Sequence, residues 1–271
     1  MEELLLIIKY AIMGVIQGFT EPIPISSSGH VLIVKHLFGI EIEGLSFEVF
    51  VNFASLLAVL LIYKKDIVQL AGGVLRYVRT RDADSRKEFH FFLYLILATI
   101  PAGIIGVLFN DVISESLSGI YVIGITLIVT SVALWAIRNL RGRKQDADLT
   151  VRDAIIVGLA QAVALIPGIS RSGATIVAAM GLGMKQDTAL KFSFFLYIPI
   201  SLGSMVLEAP TLAEDLRVNT NLIVPYLLAF VGSLVASYYS LRWFMGIMAR
   251  GNLKYFAVYC LIAGLAVILF L

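Results

Sequence analysis

Charge is scarce in this chain. Only 15% of its residues are charged and 59% are hydrophobic, where a soluble domain carries roughly 25% charged residues, and the mean hydropathy is +0.91. That balance excludes an ordinary soluble domain. Cysteine is nearly absent: Cys260 stands alone in an apolar run, which excludes an intramolecular disulfide and a cysteine-based metal cluster and leaves it as a small core residue. The net charge is only +2, and no basic cluster interleaved with aromatics offers a footprint for nucleic acid. The start, MEELLLIIKY, has two glutamates where a signal peptide needs a basic n-region, and no small-residue cleavage site follows, so the N-terminus is expected to be retained.

What the chain has instead is long apolar runs. FFLYLILATIPAGIIGVLF and YFAVYCLIAGLAVILFL approach the roughly 20 residues that cross a hydrocarbon core. Breaking the sequence at charged and turn-rich segments gives six full crossings near 46–63, 89–109, 119–137, 188–207, 222–241 and 253–271. Residues 4–40 and 153–184 differ: proline, glycine and hydroxyl residues interrupt each halfway. Irregular backbone at membrane depth persists only where it is buried in protein or lines a wet cavity, so each reads as a re-entrant helical hairpin.

Basic residues set the orientation, because cytoplasmic loops carry the excess of Lys and Arg. Lys64, Lys65, Arg76, Arg79, Arg81, Arg86 and Lys87 mark one inside loop. Arg138, Arg141, Arg143, Lys144 and Arg152 mark a second, and Arg242, Arg250 and Lys254 a third. Glu208, Glu214 and Asp215, against a single Arg217, fall outside, and so do Glu2, Glu3, Glu41 and Glu43 at the ends of the first hairpin.

A repeat organises the whole. At an offset of 144 residues Gln17 falls on Gln161, and ISSSG (25–29) overlays ISRSG (169–173); one residue further on, Phe47 and Phe50 match Phe192 and Phe195. Each half holds one hairpin and three crossings, so the halves take opposite orientations. The expected fold is an all-α polytopic membrane protein, one membrane domain over residues 1–271, with repeat 1 over about 1–140 and repeat 2 over about 150–271. Such inverted-topology repeats place their site near the midplane, where broken helices meet.

The two breaks carry the chemistry. Gln17 and Glu21 are four apart and share one face of the first half-helix. Pro22 and Pro24 stop that helix, and Ser26 to Ser28 then offer N-caps for the next, whose positive end faces the break as an anion site. In the second break Pro167 and Gly168 make the turn and Ser170 caps a half-helix bearing Arg171, Ser172, Gly173 and Thr175. Two helix N-termini and a guanidinium suit a multiply charged oxyanion. Ionisable groups inside a membrane are costly, which singles out Glu21 and Arg171. The serines and glycines, Ser28, Gly29, Ser172 and Gly173, also fit a plain close-packing role.

A hydroxyl, a histidine within one turn, a carboxylate and an arginine together describe phosphoryl transfer or hydrolysis. In that reading Ser26 or Ser27 attacks phosphorus, His30 moves protons, Arg171 stabilises the transition state, and Glu21 orients the histidine or holds a divalent metal. Broken helices in an inverted repeat also describe a secondary transporter or flippase for a phosphorylated substrate, which needs anion recognition and no nucleophile. His36 and His90 have no comparable neighbours and receive no role.

QGFTEPIPISSSGH (17–30) and PGISRSGAT (167–175) resemble the two signature segments of the undecaprenyl pyrophosphate phosphatase family, also known as bacitracin-resistance proteins. The likeness covers essentially the whole chain. It implies hydrolysis of a polyprenyl diphosphate to the monophosphate and inorganic phosphate with help from Mg²⁺ or Ca²⁺, recycling the lipid carrier of cell-wall glycan synthesis. By resemblance the family's acidic motif corresponds to Gln17 and Glu21, its serine and histidine to Ser27 and His30, and its arginine segment to Ser170, Arg171, Ser172 and Thr175. Many members carry glutamate where this chain has Gln17, which moves the acidic role to Glu21, with Glu48 as a candidate second acid for the metal. The implied setting is the plasma membrane, with the site opening to the external face and the prenyl tail between helices or in lipid. Homo-oligomers are compatible with this reading.

Overall fold

The computed structural model of the chain describes residues 2–39, 46–117 and 119–271, whose regular structure is helical. Glu41 and Glu43, expected at the outer end of the first hairpin, lie outside the described residues. Helix α1 (Glu2–Thr20) ends where the sequence requires: its last turn closes with the Glu21 N–H on the Gln17 carbonyl, and Pro22 and Pro24 cannot extend it. After this break α2 runs over Ser27–Phe38, capped by the Ser26 hydroxyl accepting from the Gly29 N–H (3.2 Å) and closed by Gly39 in the left-handed region (φ 55°).

Helix α3 (Ser46–Ile62) bends by 76° at Tyr63 into α4 (Lys64–Thr80). Here the sequence reading needs correction. The basic stretch expected as a loop is a 17-residue helix with no buried residue, carrying Lys64, Lys65, Arg76 and Arg79 together with exposed Val68, Leu75 and Val78. Helix α5 (Arg86–Leu117) passes through Pro101, and α6 (Ile120–Ile137) follows. Helix α7 (Val151–Val163) starts from a capping box, Thr150 with Asp153. After a second break, α8 (Arg171–Gly181) starts from Ser170, whose hydroxyl accepts from the Gly173 N–H (3.1 Å). Three long helices complete the chain: α9 (Gln186–Val218), α10 (Ile223–Ala249) and α11 (Lys254–Phe270).

This is the architecture of a polytopic helical membrane protein. Among the described residues five segments are long and apolar enough to cross a bilayer: Glu3–Thr20, Ala83–Phe109, Ile120–Ile137, Gln186–Val218 and Thr220–Ala249. The first of these is α1, whose length matches a crossing although the sequence assigned it to half a hairpin. Conversely α3 and α11 have 17 residues each, about 26 Å at the helical rise, close to the thickness of the hydrocarbon core.

Packing depends on close backbone approach. A Cβ on Gly14 would lie 2.2 Å from the Ala229 carbonyl oxygen, and one on Gly18 the same distance from that of Ser233, so α1 lies directly on α10. Gly158, 144 residues after Gly14, presses α7 on α5 in the same way, its Cβ position 2.6 Å from the Ala98 carbonyl oxygen. Further contacts join α3 to α9 and α10, and α6 to α11. Both breaks are anchored by neighbours. The Thr126 hydroxyl donates to the Pro167 carbonyl (3.0 Å), while Gly168 holds φ 86° against that threonine, where a side chain has no room. The breaks also touch each other: Gly29 faces Gly168 and Gly173 faces Pro24, each at 3.4 Å from a built Cβ.

Candidate active site

A cleft of about 300 Å³ opens where the two breaks meet, lined by Gln17, Glu21, Ser26, Ser27 and Ser28 from the first and Ser170, Arg171 and Ser172 from the second, with Glu48 and Asn52 of α3 alongside. Glu21 is its centre. One carboxylate oxygen receives the Arg171 guanidinium; the other receives the Ser27 hydroxyl and the Gln17 amide (2.9 Å). Gln17 and Glu21 meet because they are one helical turn apart. Arg171 arrives from 150 residues away because the two breaks pack against each other.

The guanidinium has a second support. Its Cζ lies 4.1 Å from the centroid of the Tyr197 ring, and the Tyr197 hydroxyl donates to the Asn52 carbonyl (2.7 Å). Asn52 in turn accepts the Ser201 hydroxyl on Oδ1 (2.9 Å). This shelf from α9 and α3 holds Arg171 by cation–π attraction while its charge faces the carboxylate. Tyr197 and Asn52 were not found from sequence. Tyr197 sits in FFLYIPI, where its polar tip looks like core decoration, and only the fold brings its ring onto Arg171, 26 positions earlier in the chain.

The two starts repeat each other's geometry. Ser26 and Ser28 hydroxyls lie 3.4 Å apart and those of Ser170 and Ser172 3.3 Å apart, and in both the first serine is the cap. The first start is the more strained: Ser26 holds φ 69° and ψ 94°, a left-handed conformation outside the usual range of a residue with a Cβ.

Three expected residues face elsewhere. The Thr175 hydroxyl is buried behind the cleft, bonded to the Arg171 carbonyl (3.0 Å) and to Ser193. Gly173 packs on Ser170 and Pro24. His30 turns from the cleft toward α11, with Nδ1 2.7 Å from the Ser26 carbonyl oxygen and Nε2 2.7 Å from the Tyr259 hydroxyl. The hydrogen-bond acceptor beside the Ser27 hydroxyl is therefore Glu21 and not the histidine. Glu48 lines the cleft but pairs with Lys35 at 2.6 Å. Among the described residues no three acidic, histidine or cysteine side chains converge as a metal cage.

Two helix starts, an arginine and a hydroxyl on a carboxylate have the chemistry to bind a multiply charged oxyanion. The comparisons with known proteins agree with that chemistry. Undecaprenyl-diphosphatase 2 of Bacillus thuringiensis (strain Al Hakam) is 59% identical over 271 residues, all of both chains. Undecaprenyl-diphosphatase of Oceanobacillus iheyensis is 59% identical over 98% of this chain and 97% of its own. Undecaprenyl-diphosphatase 1 of Bacillus licheniformis is 55% identical over 99% of each. The model of the bacitracin resistance protein BacA matches residues 10–266. With nearly the whole chain covered by that model and by these relatives, the protein belongs to the BacA family.

Proposed function

We propose that this protein hydrolyses undecaprenyl diphosphate, or a similar polyprenyl diphosphate, to the monophosphate and inorganic phosphate. The observation that carries the reading is the double use of Glu21, which binds Arg171 from the second break and Ser27 from the first. In the proposed reaction the terminal phosphate lies against Arg171 and the N-termini of α2 and α8. Ser27 Oγ attacks its phosphorus and passes its proton to Glu21. The bond to the bridging oxygen breaks, and the prenyl monophosphate leaves as a dianion. Water then attacks the phosphoserine, its two protons leaving with the group as dihydrogen phosphate, while the Ser27 oxygen regains its proton from Glu21. Arg171 and the helix ends stabilise the charge that develops on the equatorial oxygens.

The donor set suits Mg²⁺ or Ca²⁺ as a companion of the diphosphate more than as a resident ion. Glu21 and Glu48 would hold it, but both oxygens of Glu21 are hydrogen bonded and Glu48 is paired with Lys35, so most ligands must come from phosphate and water. Bound there, the ion would neutralise phosphate charge.

The same reading sets the cleft at the meeting point of two inverted repeats, with six crossings, two re-entrant hairpins and an opening to the external face of the plasma membrane. Its supports are the pairing of α1 with α10 and of α7 with α5, made with glycines 144 residues apart, and the clusters of basic residues on α4, between α6 and α7, and around the α10–α11 junction. A transporter needs anion recognition alone; the Ser27–Glu21 contact favours hydrolysis. Purified protein given a polyprenyl diphosphate and a series of divalent metals should release phosphate, and acid quenching should trap phosphoserine. Full turnover by both Ser26→Ala and Ser27→Ala would discard the serine nucleophile, and no release under any metal would leave transport.

A further inference from the structure

His30 has two hydrogen-bond partners, and their chemistry fixes its protonation. The Ser26 carbonyl oxygen, 2.7 Å from Nδ1, can only accept, so Nδ1 carries a proton. In a neutral ring the lone pair is then on Nε2, which accepts from the Tyr259 hydroxyl at 2.7 Å. The two rings lie nearly parallel, 12° apart in plane with centroids at 5.6 Å. The carbonyl at the other end of this chain belongs to Ser26, the residue held at φ 69°, and it also accepts the His30 backbone N–H at 3.2 Å. Ser26 is followed directly by Ser27, whose hydroxyl sits on Glu21.

We infer that Tyr259 is a positioning residue: its hydroxyl, bonded to Nε2, holds the His30 ring in the orientation from which Nδ1–H clamps the Ser26 carbonyl, and the clamp holds Ser27 on Glu21. The inference rests on the roles proposed for Ser27 and Glu21. Remove the hydroxyl and Nε2 loses its partner, so the ring is free to turn and carry Nδ1–H away from the carbonyl oxygen, where both neutral tautomers are open to it. Without that bond Ser26 is freed to leave its strained conformation, and Ser27 loses its alignment. Tyr259 is 44% exposed on α11, so loss of the hydroxyl alone leaves the packing of the bundle in place.

The test is Tyr259→Phe in the full chain in detergent micelles, with ¹⁵N-labelled histidine and His30→Gln to assign the ring. The wild-type ring should be protonated at Nδ1 and bare at Nε2, and the variant should show both tautomers. The kcat for phosphate release should fall by about 2- to 10-fold, the worth of one net hydrogen bond, with KM and melting temperature unchanged. A wild-type ring protonated only at Nε2, or an unchanged kcat in Tyr259→Phe, overturns the clamp. Retained turnover in Ser27→Ala would instead overturn the reading of the reactive pair, and the tautomers of Tyr259→Phe would still decide whether the clamp exists.

Discussion

Replacing Glu21 by glutamine removes one charge, nearly preserves shape, and separates the two roles proposed for this side chain, ion-pair partner and general base. The carboxylate is 8% exposed and Arg171 23% exposed. Removing one partner of a buried pair costs about 3–5 kcal/mol because the other charge is stranded. Here the guanidinium keeps the Tyr197 face and some contact with water, so the expected loss of stability is about 1–3 kcal/mol. The effect on turnover should be larger. A general base contributes about 10²- to 10⁴-fold, equivalent to about 3–5 kcal/mol of barrier, and glutamine cannot take the Ser27 proton. Glu21→Gln should therefore retain at most about a hundredth of wild-type kcat, measured as phosphate release in micelles well below its melting temperature. A folded variant keeping more than a tenth would refute the assignment of the base, and a loss that disappeared on cooling would reduce Glu21 to a structural partner.

Gln17→Glu would set a second carboxylate against Glu21 where an amide now donates at 2.9 Å. Like charges at that distance share a proton or take up a cation, so turnover should become more steeply dependent on Mg²⁺ or Ca²⁺, and an unchanged metal titration would contradict this. Tyr197→Leu removes the shelf under Arg171; at about 0.5–2 kcal/mol for a cation–π contact, kcat/KM should fall about 2- to 30-fold, and Tyr197→Phe, which keeps the ring, should recover most of it. Gly14→Ala forces a Cβ to 2.2 Å from the Ala229 carbonyl oxygen and should cost about 1–3 kcal/mol in thermal or denaturant unfolding, with Gly158→Ala producing a smaller loss against Ala98.

Local chemistry was legible in the sequence and orientation was not. The ends of α1 and the starts of α2 and α8 follow from proline and serine within a few residues, and the structure has both caps, on Gly29 and Gly173. Glu21 and Arg171 stood out as ionisable groups in an apolar chain, which is a global cost visible in any ordering of helices. Helix α4 was missed because its lysines and arginines carry the signature of a loop, although Val68, Leu75 and Val78 repeat at a spacing compatible with one helical face. His30 shows the limit most clearly. Ser27 and His30 are three apart on α2 and so neighbours on its surface, but whether a side chain at such a position turns to Glu21 or to Tyr259 depends on where α11 packs. Spacing within one helix cannot supply that. Tyr197 is hidden for the same reason, since its partner comes from another helix.

The span of 150 residues between Glu21 and Arg171 also bears on biogenesis. At about 5–20 residues per second, the ribosome needs about 8–30 s to reach the arginine after making the glutamate. During that interval an acidic group is already committed to the bilayer without its cation. Gln17 and Ser27 belong to the same α1–α2 segment, and their donors can reach the carboxylate as soon as that segment folds. Seen from the nascent chain, these two residues are caretakers, keeping the acid solvated until the second half of the protein arrives.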